Sequence, residues 1–257
     1  MTVGSKKKFD YQTLVLNTRQ IASFARSQRG VTRKENQDRF LVKALREDAV
    51  IAVLADGMGG PAGGEIAAQM AISDFEKIKD IDHGKELDFL KEQFLKSDKR
   101  ILQSANQNPD IEDMGTTLIA VFIKNQKAYW SHVGDSRLFL LRKTRLKQIT
   151  QDQTFARFLF NEGEITKEQI TTHYSQHILD QCIGHGDCEP ETGSFLLKKN
   201  DFLILSTDGL HKVLDQKKIK DLLSFDISIK TKTEKLFQKV LEAKGNDDIS
   251  VIILHVL

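Results

Sequence analysis

The sequence predicts an α+β fold in which antiparallel sheets are covered by helices that come in pairs. Three observations carry that expectation. Strand-like segments follow one another with no helix between them, as at 117–123, 127–133 and 136–141. Helical segments come two at a time, at 64–78 with 86–106 and at 216–223 with 231–244. The strand–helix alternation of a parallel sheet is missing. No Pro-rich or Gly/Ser-rich linker divides the 257 residues, and the only prolines are Pro61, Pro109 and Pro190. One large domain, 1–257, follows.

The elements read in order as follows. Lys6-Lys7-Lys8 belongs to a solvated end, and residues 1–12 are expected as a mobile N-terminus. Strands are expected at 20–27 and 39–43. Residues 49–55 form a continuous apolar run, the pattern of a strand covered on both faces. A helix at 64–78 carries Ala67, Ala68 and Ala71, which allow close packing. A second helix at 86–106 places Leu87, Leu90, Phe94, Ile101 and Leu102 on one face, and Asn108-Pro109 ends it. Lys124-Asn125-Gln126 joins two of the next three strands as a hairpin. Short helices are expected at 155–161 and 167–170, strands at 193–197 and 202–206, and a buried last strand in ISVIILHVL, 249–257.

Composition narrows the function. With 38 basic and 36 acidic residues the net charge is +2, which gives no argument for nucleic acid or a membrane surface. The two cysteines, Cys182 and Cys188, flank Ile-Gly-His-Gly-Asp; their spacing favours reduced thiols over zinc. No apolar N-terminal run suggests a secretory signal and no stretch is long enough to span a bilayer, so a cytoplasmic protein is expected. His132 reads as structural, His173 and His177 as surface or packing residues, and Met114 and Trp130 as core.

Acidic residues gather where strands end. Asp38 follows Arg33-Lys34-Glu35-Asn36-Gln37; Asp56 and Asp208 each precede glycine; Asp135 follows Gly134; Asp247-Asp248 precede the last strand. Any single Asp-Gly is explained as turn chemistry. The set is different, because carboxylates collected at one edge of a core repel one another unless cations intervene, and hard oxygen ligands suit Mg²⁺ or Mn²⁺. Gly57-Met58-Gly59-Gly60 carries more glycine than a turn needs, which suggests close backbone approach to a ligand.

Six phrases, in order, resemble the metal-dependent protein phosphatases of type 2C, the PPM family, in their compact bacterial form. They are GVTRKENQD (30–38), VLADGMGG (53–60), MGTT (114–117), VGDSR (133–137), LSTDGL (205–210) and NDDIS (246–250). TQDQT (150–154) and NEGEIT (161–166) resemble the family's flap, expected here within 145–192. The match runs from about Arg26 to the C-terminus. The resemblance implies a four-layer α/β/β/α sandwich, two central antiparallel sheets flanked by helix pairs. It implies a protein-serine/threonine phosphatase, a phosphoric monoester hydrolase using two Mn²⁺ or Mg²⁺ ions and a water or hydroxide bridging them. Asp56 matches the bridging ligand and Gly57 would offer its carbonyl. Asp208 and Asp247 match carboxylates on the other ion, Asp38 an acid acting through water, and Asp135 a third, weaker site. Arg33 matches the arginine that grips phosphate, a task its planar fork suits. Expected partners are phosphoproteins, including a serine/threonine kinase or its targets, with the enzyme a monomer.

Three positions depart from the family pattern. Met58 stands where many members have a histidine that is a candidate general acid, Gln37 where many have an acid, and Asp248 where asparagine is usual. Register with the following Ile-Ser favours Asp247 as the ligand. The rivals are a phosphoprotein-binding module without turnover, a phosphotransferase with an aspartyl nucleophile, and a regulatory phosphatase acting on anti-sigma-factor antagonists. Retention of Arg33, Asp56, Asp208 and Asp247 argues against the first. Asp56-Gly57-Met58 lacks the second acid that the aspartyl class wants. Arg33 and its motif favour the general phosphatase over the third.

Overall fold

A computed structural model describes residues 11–45 and 49–257. The lysine run at 6–8 lies outside them. In chain order the elements are β1 (Tyr11–Asn17), β2 (Ile21–Gln28), β3 (Asp38–Ala44), β4 (Val50–Met58), α1 (Gly60–Glu76) and α2 (Glu86–Ala105). Then come β5 (Gly115–Lys124), β6 (Lys127–Val133), β7 (Arg137–Arg142), β8 (Arg145–Gln148), α3 (Phe155–Asn161), β9 (Glu191–Leu196) and β10 (Phe202–Ser206). The chain closes with α4 (Asp208–His211), α5 (Gln216–Leu223), α6 (Ile229–Glu242) and β11 (Ile249–Val256).

The strands form two antiparallel sheets, one ordered β1-β2-β11-β10-β7-β8 and the other β3-β4-β5-β6-β9. Three apolar layers hold them. Ile51, Val53 and Ala55 of β4, with Leu118, Ala120 and Phe122 of β5, pack under α1 and α2. The alternate residues Val50, Ala52, Leu54, Ile119 and Val121 face the other sheet, where they meet Leu203, Leu205, Ile252 and Leu254. On the far side of that second sheet, Ile204, Val251 and Ile253 pack with Leu236, Phe237 and Val240 of α6. This is the four-layer sandwich. The central strands are apolar throughout because both faces are covered, and the period of two only sorts which layer each residue joins.

Several local expectations shift. Residues 11 and 12 were expected in a mobile end, yet they open β1, paired with Gln28 and Ser27. β8 is a four-residue edge strand in the sheet, so the segment outside both sheets is 149–190, not 145–192. β8, Arg145–Gln148, is polar enough to hide in the sequence, and pairing to β7 makes it a strand. Residues 168–171 form a single 3₁₀ turn. The β5–β6 hairpin closes through Asn125 and Gln126 alone, both at positive φ, the backbone of a type I′ turn. Among the described residues, no helix is long and apolar enough to cross a membrane.

Candidate active site

The period of two also builds the site. The face between the sheets is aliphatic along the strands and turns polar at one end. Two residues beyond Leu54 the same face of β4 presents Asp56; two before Phe40, β3 presents Asp38. Two beyond Leu205 comes Thr207, and two before Ile119 and Ile252 come Thr117 and Ser250. These groups join up. The Thr207 hydroxyl donates to Asp38 Oδ2 at 3.0 Å, the Ser250 hydroxyl donates to Ser27 at 2.7 Å, and Thr117 and Ser136 hydroxyls meet at 2.8 Å.

Asp38 and Asp56 are direct cross-strand partners. Like charges so placed repel. Asp38 is 2% exposed, and its Oδ1 is buried with no hydrogen-bond partner. Burial pushes the Asp38 carboxyl well above the usual carboxylate range, and nearby Asp248 and Asp208 push the same way. Asp56 is raised likewise, by burial first and then by Asp38, Asp208 and Asp135.

Asp208 opens α4, and Asp135 lies in the turn before β7. The Lys212 ammonium joins them: it donates to Asp208 Oδ2 and lies 3.1 Å from Asp135 Oδ2. Burial and Asp208 raise the Asp135 carboxyl, and Lys212 opposes the rise. Burial alone would lower the Lys212 pKa; Asp135 and Asp208 outweigh it and hold the pKa above its ordinary value.

The two adjacent acids before β11 part company. Asp248 is 4% exposed and accepts hydrogen bonds from the Gly30 and Gln37 backbone amides, both at 2.8 Å. Asp247 faces the groove and pairs with the Arg33 guanidinium at 2.5 Å. Arg33 is 45% exposed, so its fork is accessible.

The glycine excess after Asp56 has a structural cause. A Cβ on Gly57 would collide with the Gly64 carbonyl, and one on Gly59 with the Asp113 carbonyl. The close approaches anticipated from a ligand are made by the chain's own backbone, where α1 springs from the end of β4. Gly59, at φ 104°, is the N-cap that permits that reversal. The Gln37 side chain donates to the Gly60 carbonyl at 2.7 Å.

These groups border an open groove of about 710 Å³ lined by Arg33, Asp56, Asp135, Asp208, Lys212 and Asp247, with Ile178 to Asp180 of the 149–190 segment on its rim. Asp38 stands behind Asp56, in the layer between the sheets. His177, exposed as expected, and His185 also line the groove. The Met58 methyl and the His185 ring both lie over Gly115. Lys212 and His185 were missed in the sequence; only the four-residue spacing of Lys212 from Asp208 hinted at a pair. Cys182 and Cys188 are free and buried, with thiol pKa values pushed up to about 12, burial being the main cause. Among the described residues no three His, Cys, Asp or Glu side chains converge as a ready metal cage; Arg33 and Lys212 reach among the carboxylates instead.

Comparison with known proteins shows the family and the fold. The family model described as Protein phosphatase 2C matches residues 26–248. Protein phosphatase PhpP of Streptococcus pneumoniae is 32% identical over 229 residues, covering 88% of this chain and 93% of that protein. The S. agalactiae serine/threonine phosphatase superposes with a TM-score of 0.84 at 27% identity, over 96% of this chain and 100% of that one. The catalytic domain of the serine/threonine protein phosphatase PstP, solved in complex with two manganese ions, gives a TM-score of 0.81 at 30% identity, over 93% of this chain and 99% of that one. With its six motifs in order, its two-sheet sandwich and its carboxylates gathered at one end, the chain belongs to the protein phosphatase 2C family.

Proposed function

We propose that the chain hydrolyses phosphoserine and phosphothreonine in proteins with two divalent cations, Mn²⁺ or Mg²⁺. Asp56, the Gly57 carbonyl, Asp208 and Asp247 would hold them, and Asp38 would act through water. One observation carries this reading: Asp38 and Asp56 oppose each other across β3 and β4, Asp38 buried with Oδ1 unpartnered and Asp56 half-buried at the groove. Two facing carboxylates that make no ion pair among the described residues, one of them buried, fit hard cations. The two manganese ions of the PstP complex support the same ion count.

When bound, the cations supply Lewis acidity, charge neutralisation and a water acidified towards neutral pH. The chain supplies the rest. Thr207 fixes Asp38 through Oδ2, leaving Oδ1 to accept a proton-bearing contact from water. Asp248 anchors the backbone at Gly30 and Gln37, at either end of the turn that carries Arg33. Arg33, at the groove mouth, divides its fork between Asp247 and the incoming phosphoryl oxygens, so substrate arrives opposite a charge already in place. Cys182 and Cys188, held as thiols by burial, take no part.

The 149–190 segment acts as a flap on the groove rim, within a single catalytic domain. The enzyme works as a cytoplasmic monomer on phosphoproteins, a serine/threonine kinase or its targets among them; family resemblance supports this part. The deciding experiment is phosphate release from a phosphothreonine peptide with Mn²⁺, then with EDTA, beside Asp208→Asn. Turnover that requires metal and is lost in the variant is expected. Binding without turnover under any metal overturns the reading in favour of a phosphoprotein-binding module.

A further inference from the structure

The proposed ions leave one side chain unexplained. Lys212 is 31% exposed at its side chain, lines the groove and bridges Asp135 and Asp208. It follows Asp208 by four residues, and its backbone N–H donates to the Asp208 carbonyl at 2.9 Å, so α4 holds the ammonium over the carboxylate. Both contacts use one oxygen of each acid, Oδ2 of Asp135 and Oδ2 of Asp208. The ammonium therefore stands where an ion shared by these two acids would have to sit.

We propose that Lys212 is the built-in cation of the Asp135–Asp208 pair, so that this corner of the site is neutralised by a side chain and not by a metal. This rests on the two-ion reading above and revises the third ion that resemblance implied at Asp135. The reasoning is steric and electrostatic. A divalent ion such as Mg²⁺ bound to both carboxylates needs oxygens at about 2.0–2.1 Å, which the ammonium nitrogen blocks. A tethered cation also has a concentration advantage over a free one, and its charge repels a second cation brought beside it. The Lys212 contact uses only Oδ2 of Asp208, so Asp208 could still help to hold one of the two proposed cations. Among the described residues no lysine pairs with Asp38 or Asp56 in this way. The division is thus between a pair that must recruit its cation and a pair that carries one.

The test counts Mn²⁺ bound per folded chain by equilibrium dialysis with elemental analysis, at saturating Mn²⁺ and constant pH. Lys212→Met keeps the length and apolar stem of the side chain and removes only the charge; it is expected to bind one ion more than the unaltered chain. Lys212→Arg, which retains the charge, is expected to match the unaltered count. Asp135→Asn in the unaltered chain is expected to lose no ion, and the Lys212→Met/Asp135→Asn double variant to lose the gained one. An unchanged count in Lys212→Met, or an ion lost on Asp135→Asn alone, overturns the proposal. The count in the unaltered chain tests the two-ion reading separately, because the Lys212 effect is read as a difference.

Discussion

Asp38 with Asp56, and Asp135 with Asp208, are pairs of carboxylates at the same end of one sandwich, and the chain provides for them differently. The first pair sits on adjacent strands with a buried oxygen unpartnered. The second shares the Lys212 ammonium. A third arrangement lies beside them: Asp248 is as buried as Asp135 but is met by two backbone N–H groups. The difference teaches that acidity in a site is not one property. A carboxylate satisfied by backbone amides stabilises the fold, one paired with lysine is internally neutral, and one facing another acid is a defect until a cation arrives. The last kind has the greatest need of a metal ion.

The largest expected effect comes from breaking the unneutralised pair. Asp56→Asn should lower kcat on a phosphothreonine peptide at least about 100-fold, the size seen when one group stabilising developing charge is lost. Asp38→Asn should cost about 10–100-fold, as for residues that act on an ion through an intermediary. The same change should stabilise the protein in EDTA, because it removes a buried like-charge contact. A Tm increase of about 2 °C or more, roughly 1 kcal/mol in a chain of this size, is expected by calorimetry. A lower Tm would mean that Asp38 is already satisfied without metal.

Asp248→Ala should do the reverse. It leaves the Gly30 and Gln37 amides unpaired, and a cost of about 1.5–3 kcal/mol is expected in urea unfolding, with or without Mn²⁺. If Asp248 is instead a metal ligand, the loss will appear only when Mn²⁺ is present.

The pairs should also respond to pH in a known direction. Asp38 and Asp56 have raised pKa values in the metal-free fold, so above the ordinary carboxylate range the fold binds more protons than the unfolded chain. Stability from these groups is therefore present at low pH and lost as pH rises through their folded values. Cations compete with those protons. Mn²⁺ affinity should fall as pH is lowered, and calorimetry in buffers of different ionisation enthalpy should show proton release on binding. The smallest effect is expected at Cys182 and Cys188: with thiol pKa values pushed to about 12, iodoacetamide at pH 8 should leave turnover nearly unchanged.

Much of this was legible before the fold was known. The apolar runs at 49–55 and 249–257 announced covered strands, and the motif aspartates announced a shared edge. The period of two could have extended that list: Thr117, Thr207 and Ser250 each lie two residues from a residue facing between the sheets, and each is a small hydroxyl. Edge strand β8 was not legible, since polar residues such as Arg145-Leu146-Lys147-Gln148 become a strand only by pairing with β7, whereas Leu14-Val15-Leu16 of β1 was a usable strand signal. The glycines after Asp56 were legible as a crowded stretch, but the neighbours that crowd Gly57 and Gly59, Gly64 and Asp113, are brought to them only by helix packing and the return of the chain.

By itself, then, the sequence determined the class of fold, the family motifs and the residue types of the site, because burial patterns and side-chain chemistry are written locally. Tertiary structure alone decided which charges meet. It turned Asp247 towards Arg33 and Asp248 onto backbone amides, set Asp38 opposite Asp56, and brought Lys212 to Asp135 across 77 positions of chain. Electrostatic energy depends on distance and on the surrounding dielectric, and both come into being only when the chain closes on itself.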